Sequence, residues 1–399
     1  MKFTYRHTRN AAYIGYISQA IVNNLAPLLF VSFQREFGLS LDKISLLITI
    51  NFGVQIAVDL LAAKYIDRIG YRAAALLAHI AVALGLVGLA VLPFVMPPFA
   101  GLAAAAVVYA VGGGLTEVII SPIVEALPGE EKEAAMSLLH SFYCWGQVAV
   151  VLLSTLYFKT AGIEHWNYLP LVWAVVPAFN IFLFAKVPLR TLNEDGESMP
   201  VSRLFRVRVF WIFLLLMICA GASELAMSQW ASLFAEEGLQ VSKTMGDLLG
   251  PCAFAVLMGI ARTFYGIRGA RLNLTRTILF SSVLCIASYL LAVFAPHPVL
   301  ALAGCALTGL SVGIMWPGTF SIASKYYPQG GTAMFAILAL AGDIGCSSGP
   351  TLAGFVADHT GDMHDGLLAA AAFPLLLIAG IVLLERQAAG QNGQAGKQG

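Results

Sequence analysis

Twelve apolar stretches of roughly 20 residues follow one another along the 399-residue chain, separated by short loops that hold most of its charge. About 20 residues of helix cross the ~30 Å hydrocarbon core of a bilayer. No water reaches backbone groups there, so such stretches must satisfy their hydrogen bonds internally, as helices. The expected spans are 11–33, 42–64, 73–93, 99–127, 134–158, 166–187, 209–234, 245–265, 274–295, 299–325, 332–356 and 365–385. One polar segment, 188–208, interrupts the series after the sixth span. The expected fold is therefore an all-α integral membrane protein with an N-terminal six-helix bundle (1–187), a linker (188–208), a C-terminal bundle (209–385) and a disordered tail (386–399).

Composition agrees and narrows the functional classes. Charged residues make up 11% of the chain, against about 25% in soluble domains. A net charge of +1 without a dense Lys/Arg run leaves nothing to attract nucleic acid. The six cysteines all lie in apolar runs, without CxxC spacing, and read as small packing residues. No HExxH, GxxxxGK[ST] or GxSxG occurs, so neither an enzyme nor an ATP-driven pump is expected. The first apolar run is too long for a removable signal and has no small-residue cleavage site after it. If both termini are cytoplasmic, only Arg35, Lys43, Lys159 and Lys243 of the 23 Lys and Arg residues fall on the far side. That asymmetry sets the expected orientation. The triplet Asn273-Leu274-Thr275 then faces the cytoplasm.

The two halves repeat at an offset of 200 residues. Glu36, Gly38, Leu39 and Lys43 fall on Glu236, Gly238, Leu239 and Lys243, while Gly113 falls on Gly313 and Pro128 on Pro328. Parallel six-helix repeats are a transporter layout with the binding site between them near the midplane. The stretch Gly112-Gly113-Gly114-Leu115-Thr116-Glu117 then becomes central, because it sets one carboxyl in the middle of an apolar span. An ionisable group there costs about 2.5 to 3.5 kcal/mol, so it faces protein or a wet cavity. The glycines allow close approach of a helix or ligand.

After the second span, Ala63-Lys64-Tyr65-Ile66-Asp67-Arg68-Ile69-Gly70-Tyr71-Arg72 resembles the loop signature of the major facilitator superfamily, G-x-x-x-D-R/K-x-G-R-R/K, with Ala63 and Tyr71 departing from it. The second half keeps only Gly269 and Arg271. Val22-Asn23-Asn24-Leu25 with Phe33-Gln34-Arg35-Glu36-Phe37 is similar to helix 1 of the fucose:proton symporter branch. Gly114-Leu115-Thr116-Glu117 with Pro122, and Ser141-Phe142-Tyr143-Cys144-Trp145-Gly146, are similar to its helices 4 and 5. Where that branch has an Asp after the paired Asn, this chain has Ala26-Pro27, which argues against fucose itself and against a two-carboxylate mechanism.

The resemblance implies a secondary transporter that works by alternating access, as a monomer, with helices 1, 4, 7 and 10 lining the cavity. Those helices offer Gln19, Asn23, Asn24, Glu117, Ser121, Glu224, Ser228, Gln229, Trp230 and Trp316 as candidate substrate contacts. Amides, carboxyls and an indole suit a polyhydroxylated solute. Burial disfavours the charged form of any carboxyl, which suits Glu117, with Glu224 in reserve, to carry a coupled proton; sodium remains an alternative. The resemblance gives Asp67, Arg68, Gly70 and Arg72 a latching role, with Asp67 near the start of helix 11. Asp59, on the stripe Asn51, Gln55, Asp59, and Asp343, on the stripe Asp343, Ser347, Pro350, are expected at the gate. Arg262 is expected to pair with Glu131 or Glu133. A proton-driven exporter of drugs or metabolites, and a non-transporting receptor on a transporter scaffold, are the competing functions. No cofactor or metal is expected; the partners are a small solute and the lipid bilayer of a bacterial inner membrane.

Overall fold

A computed structural model describes residues 3–128, 132–190, 201–268, 273–327 and 331–395. The first half comprises α1 (Tyr5–Phe37), α2 (Leu41–Ile69), α3 (Tyr71–Val95), α4 (Pro98–Glu125), α5 (Lys132–Ala161) and α6 (Ile163–Lys186). The second comprises α7 (Arg208–Gly238), α8 (Lys243–Tyr265), α9 (Leu274–Phe294), α10 (Pro298–Tyr326), α11 (Gly331–Thr360) and α12 (Met363–Ala395). Among the described residues, 11 of these are apolar and long enough to cross a bilayer, and α11, 30 residues and so about 45 Å long, makes the twelfth. The protein is a multi-pass membrane protein of two six-helix halves.

The interruptions inside helices have local causes. Pro27 sits in a 3-10 turn, Ala26–Leu29, that bends α1. Pro317 has no N–H for the carbonyl of Gly313, and α10 divides there into Pro298–Val312 and Met315–Tyr326. A π-turn holding Pro251 lies near the start of α8. Two expected boundaries differ. The first helix begins at Tyr5, where Thr4 and His7 form a capping box, and the last continues to Ala395. The segment expected as a tail from 386 begins inside this helix, and residues 396–399 lie outside the described residues.

Both termini lie at one end of the bundle, where Thr8 Oγ1 donates to the carbonyl of Pro188 at 2.7 Å. The hairpins around Gly38, Gly162 and Gly361 lie at the other, far end, and each of these glycines has a positive φ closed to most side chains. The halves meet along two seams, α2 with α11 and α5 with α8. In the first seam the helices run antiparallel, with Asp42 beside Asp358, Ser45 against Gly354, Thr49 bonded to Thr351 and Asp59 touching Asp343. In the second, Cys144 lies against Gly259, and Thr155 Oγ1 donates to Asp247 Oδ2 at 3.3 Å.

Candidate functional site

The three-glycine stretch does structural work that fixes Glu117. A Cβ at Gly112 would collide with the backbone of α3 at Ala78, one at Gly114 would come within 2.9 Å of Val58, and one at Gly113 would stand 3.1 Å from the side-chain oxygens of Gln19 and Gln55. The glycines therefore let α4 approach α3, α2 and α1 together. The close approach is by helices, and one turn on it delivers Glu117 to a chain of amides. Gln19 Nε2 donates to Gln55 Oε1 at 2.7 Å and to Glu117 Oε2 at 3.3 Å. Gln55 Nε2 and Asn51 Nδ2 both donate to Asn23 Oδ1, at 3.1 and 3.2 Å. From the other half, Gln229 Nε2 donates to the backbone carbonyl of Asn23 at 2.8 Å. Gln19 Oε1 and Asn51 Oδ1 are buried and accept nothing among the described residues. The network thus keeps unused acceptors at its centre, while Glu117 remains partly exposed.

Beside it, Tyr16 Oη and Ser121 Oγ bond at 3.1 Å, and the Tyr16 ring meets His140 at 5.2 Å between centroids. In the other half, Glu224 on α7 holds Arg262 on α8. The Arg262 Nη2 atom donates to both carboxylate oxygens, at 3.2 and 3.0 Å. The expected partners of Arg262, Glu131 and the side chain of Glu133, lie outside the described residues; among those described Arg262 pairs with Glu224, on a face of α8 turned toward α7. The guanidinium also reaches the Cys144 thiol, and its Nε is buried with no acceptor among the described residues. Asn24 Nδ2 lies 3.4 Å from Tyr143 Oη, which stands in turn within electrostatic reach of Glu224. The counterparts Asn24 and Glu224 are thus linked through Tyr143.

The remaining candidates are dispersed. Ser228 accepts from Gln147 Nε2 at 3.1 Å across the halves. Trp230 is fully buried, packed on Phe30, with its indole N–H donating to the Pro350 carbonyl at 2.9 Å, and so belongs to the seam. Trp316 lies over Gly342 of α11, next to Asp343. A cavity of about 20 Å³, room for roughly one water, lies between Asn23, Asn51 and Gln229. The sequence reading did not single out Tyr16 or Asp247. The i,i+4 pair of Lys243 and Asp247 was a usable signal for the latter.

Asp247 anchors the closed far end. Its carboxylate takes Lys243 Nζ at 3.0 Å and Ser232 Oγ at 2.5 Å, besides Thr155 from the other half. Arg35 of the first half pairs with Glu236 of the second at 3.3 Å.

A family model described as Major Facilitator Superfamily matches residues 12–260 and 240–399. The chain belongs to the major facilitator superfamily. Superfamily members are carriers and not enzymes, so the protein is a secondary transporter that takes a small solute across a membrane. Among solved structures, the E. coli fucose:proton symporter is 18% identical, with a TM-score of 0.66 over 94% of this chain and 98% of that one. A bacterial homolog of the human lysosomal transporter Spinster, in an inward-facing and occupied conformation, is 13% identical, with a TM-score of 0.75 over 96% and 97%. At these identities the likeness is one of fold. No curated protein matches the chain by sequence.

In the superfamily's signature loop, the side chains of Asp67 and Arg68 lie outside the described residues. Gly70 has φ 80°, which reserves the position for glycine where α3 begins. Arg72 stays within its own half. It donates to the carbonyls of Phe184 and Val187, at 2.7 and 2.8 Å, satisfying the open end of α6.

Proposed function

We propose that the protein is a proton-coupled symporter of a sugar or a similar small polar solute, with both termini in the cytoplasm of a bacterial cell. The observation that carries this reading is the amide chain ending on Glu117, with the buried acceptors Gln19 Oε1 and Asn51 Oδ1 unused. Hydroxyl groups of a polyol donate to such oxygens, and its own oxygens accept from amide N–H groups turned to it. Glu117 binds the proton and, as the neutral acid, gives its O–H to the solute. Loading both leaves no uncompensated charge beside α4, and the halves can then rock about the seams. The likeness of the fold to that of a fucose:proton symporter is in keeping with this chemistry.

The test is external pH in weakly buffered, de-energised cells making the protein, recorded as hexoses, deoxyhexoses and glycosides are added singly. One sugar should produce alkalinisation, and Glu117→Gln should abolish it while sugar exchange survives. If no sugar moves protons, or Glu117→Gln still accumulates sugar against its gradient with protons, the reading is wrong.

A further inference from the structure

Asp59 of α2 and Asp343 of α11 face each other across the boundary between the halves, their carboxyl groups in hydrogen-bond contact. Asp59 Oδ1 and Asp343 Oδ2 are both buried, and neither accepts a bond from any protein donor among the described residues. Asp343 is 5% exposed. Two carboxylates are acceptors only, so their contact holds together only if one of them is an acid that donates its O–H to the other. Two like charges in contact in a medium this dry cannot both persist.

We propose that Asp59 and Asp343 together bind one proton, at a site separate from Glu117, and that this shared proton holds α2 to α11 on the terminal side of the midplane. With the proton present, one O–H···O⁻ bond joins the halves and the pair carries a single charge. When it leaves to solvent, two anions remain in contact, and α2 and α11 part at that end. The inference rests on the reading of the protein as an alternating-access transporter, and not on sugar as its solute.

The groups around the pair support a proton as the occupant. From α4, Glu117 lies within electrostatic reach of both aspartates. On α11 itself, Cys346 is the next titratable group, and from α7 and α8 Glu224 and Arg262 are occupied with each other. From α10, Trp316 covers Gly342 with an apolar ring. On α2, Gln55 spends its amide on Asn23 and Asn51. No cation among the described residues contacts the pair, so its charge is reduced by protonation. The nearness of Glu117 makes the two proton sites antagonistic: an anionic Glu117 disfavours a second negative charge beside it, and a protonated Glu117 lets the pair release its proton.

The experiment is a distance measurement between nitroxides at Ile69→Cys, at the exposed end of α2, and Lys325→Cys, on α10 of the other half, in a background without the six native cysteines and in lipid nanodiscs from pH 5 to pH 9. The short-distance population should fall by at least several-fold as pH rises. In Asp343→Asn the amide N–H replaces the carboxyl O–H, so the short population should persist at every pH; Asp59→Asn gives the same outcome if the first variant does not fold. In Glu117→Gln the pH response should survive. A distance distribution indifferent to pH in the parent, or the same pH response in both asparagine variants, overturns the proposal. Loss of the response in Glu117→Gln alone would also overturn it, by assigning the effect to α4. None of these outcomes depends on which solute is carried, so sugar symport and the carboxyl pair stand or fall separately.

Discussion

Replacing Glu224 by Gln should destabilise the second half, by an amount set by how dry its ion pair is. Removing one partner of a buried salt bridge costs about 3–5 kcal/mol, because the other charge is left uncompensated. The Glu224 and Arg262 side chains are 8% and 17% exposed, so the pair is nearly dry without being sealed, and the lower end of that range applies. The Gln oxygen can still accept one bond from Nη2, which returns about 1 kcal/mol. The net expectation is a loss of about 2 kcal/mol for Glu224→Gln by these figures. Arg262→Gln should lose about as much, since it leaves the Glu224 carboxylate without its cation. The double variant sets two amides face to face, so it should lose less than the two singles added together, with a coupling energy of about 2 kcal/mol. The assay is detergent-driven unfolding of the purified protein in mixed micelles, for all four members of the cycle. A coupling energy below about 0.5 kcal/mol would place the pair among exposed ion pairs of little worth and refute the reading of its burial.

Three further outcomes follow from particular contacts. In Gly354→Val the added carbons overlap the Ser45 hydroxyl and crowd the Trp230 ring, so the far end of the α2–α11 seam cannot close; Ile48→Cys, buried in the closed arrangement, should then react with a membrane-impermeant maleimide several times faster, and an unchanged rate would contradict the seam. In Arg72→Lys a single ammonium replaces two directed bonds to Phe184 and Val187, so hydrogen exchange at 184–190 should speed up with the helices otherwise unaltered. Asp362, which caps the first turn of α12 through the backbone N–H of His364 at 2.8 Å, is held below the usual carboxylate range by that bond and by the bond to the His364 ring. Its folded value being depressed, its contribution is complete above the ordinary carboxyl value, near pH 4, and is lost as pH falls through the lower folded value. Asp362→Ala should cost about 1 kcal/mol at pH 7 and nothing further in strong acid, as read from hydrogen exchange of residues 363–366.

Twelve spans and their order could be read from the sequence because a span announces itself by length and apolarity alone. Prolines were less decisive: Pro27, Pro251 and Pro317 lie where helices are interrupted, whereas Pro122, Pro177 and Pro350 sit inside continuous helices. The rotation of each helix about its own axis was less legible. In a soluble helix the polar face marks the outside, but in a membrane the lipid-facing and core-facing sides are both apolar, and periodicity loses its meaning. Trp230 and Ser228 lie two residues apart on a cavity helix, yet one is folded into the seam under Phe30 and the other bonds to Gln147. The pairing of Arg262 with Glu224 was hidden for the same reason: its distance from the helix end was countable, its azimuth was not. The stripe Asn51, Gln55, Asp59 was the exception. Three polar residues at i, i+4, i+8 fix a face by themselves, and that face is the one that meets Asn23, Gln19 and Asp343.

The inter-half contacts at the two ends of the bundle differ in kind, and the difference constrains how the transporter can cycle. At the far end, Arg35 pairs with Glu236, Thr155 bonds to Asp247, Thr49 bonds to Thr351 and the Asp42 N–H donates to Asp358 across the halves, while Lys243 and Ser232 hold Asp247 from within the second half. In each of these a donor or a cation faces an acceptor, so the contacts are attractive and close that end by default. Nearer the termini the cross-seam contact is between two acids, whose sign depends on one proton. Alternating access requires the two end states to lie within a few kcal/mol of each other. A far end held by permanent pairs therefore needs, at the opposite end, a bond that can be switched on when the far end opens and off when it closes. If the far end is weakened by Asp247→Asn, the balance should tilt toward the far-end-open state, and the proton on Asp59 and Asp343 should be retained to higher pH, because that state needs the terminal end joined. The nitroxide pair at 69 and 325 reads this directly: its short-distance population in Asp247→Asn should survive to a more alkaline pH than in the parent, and a shift toward acid would break the link between the two ends.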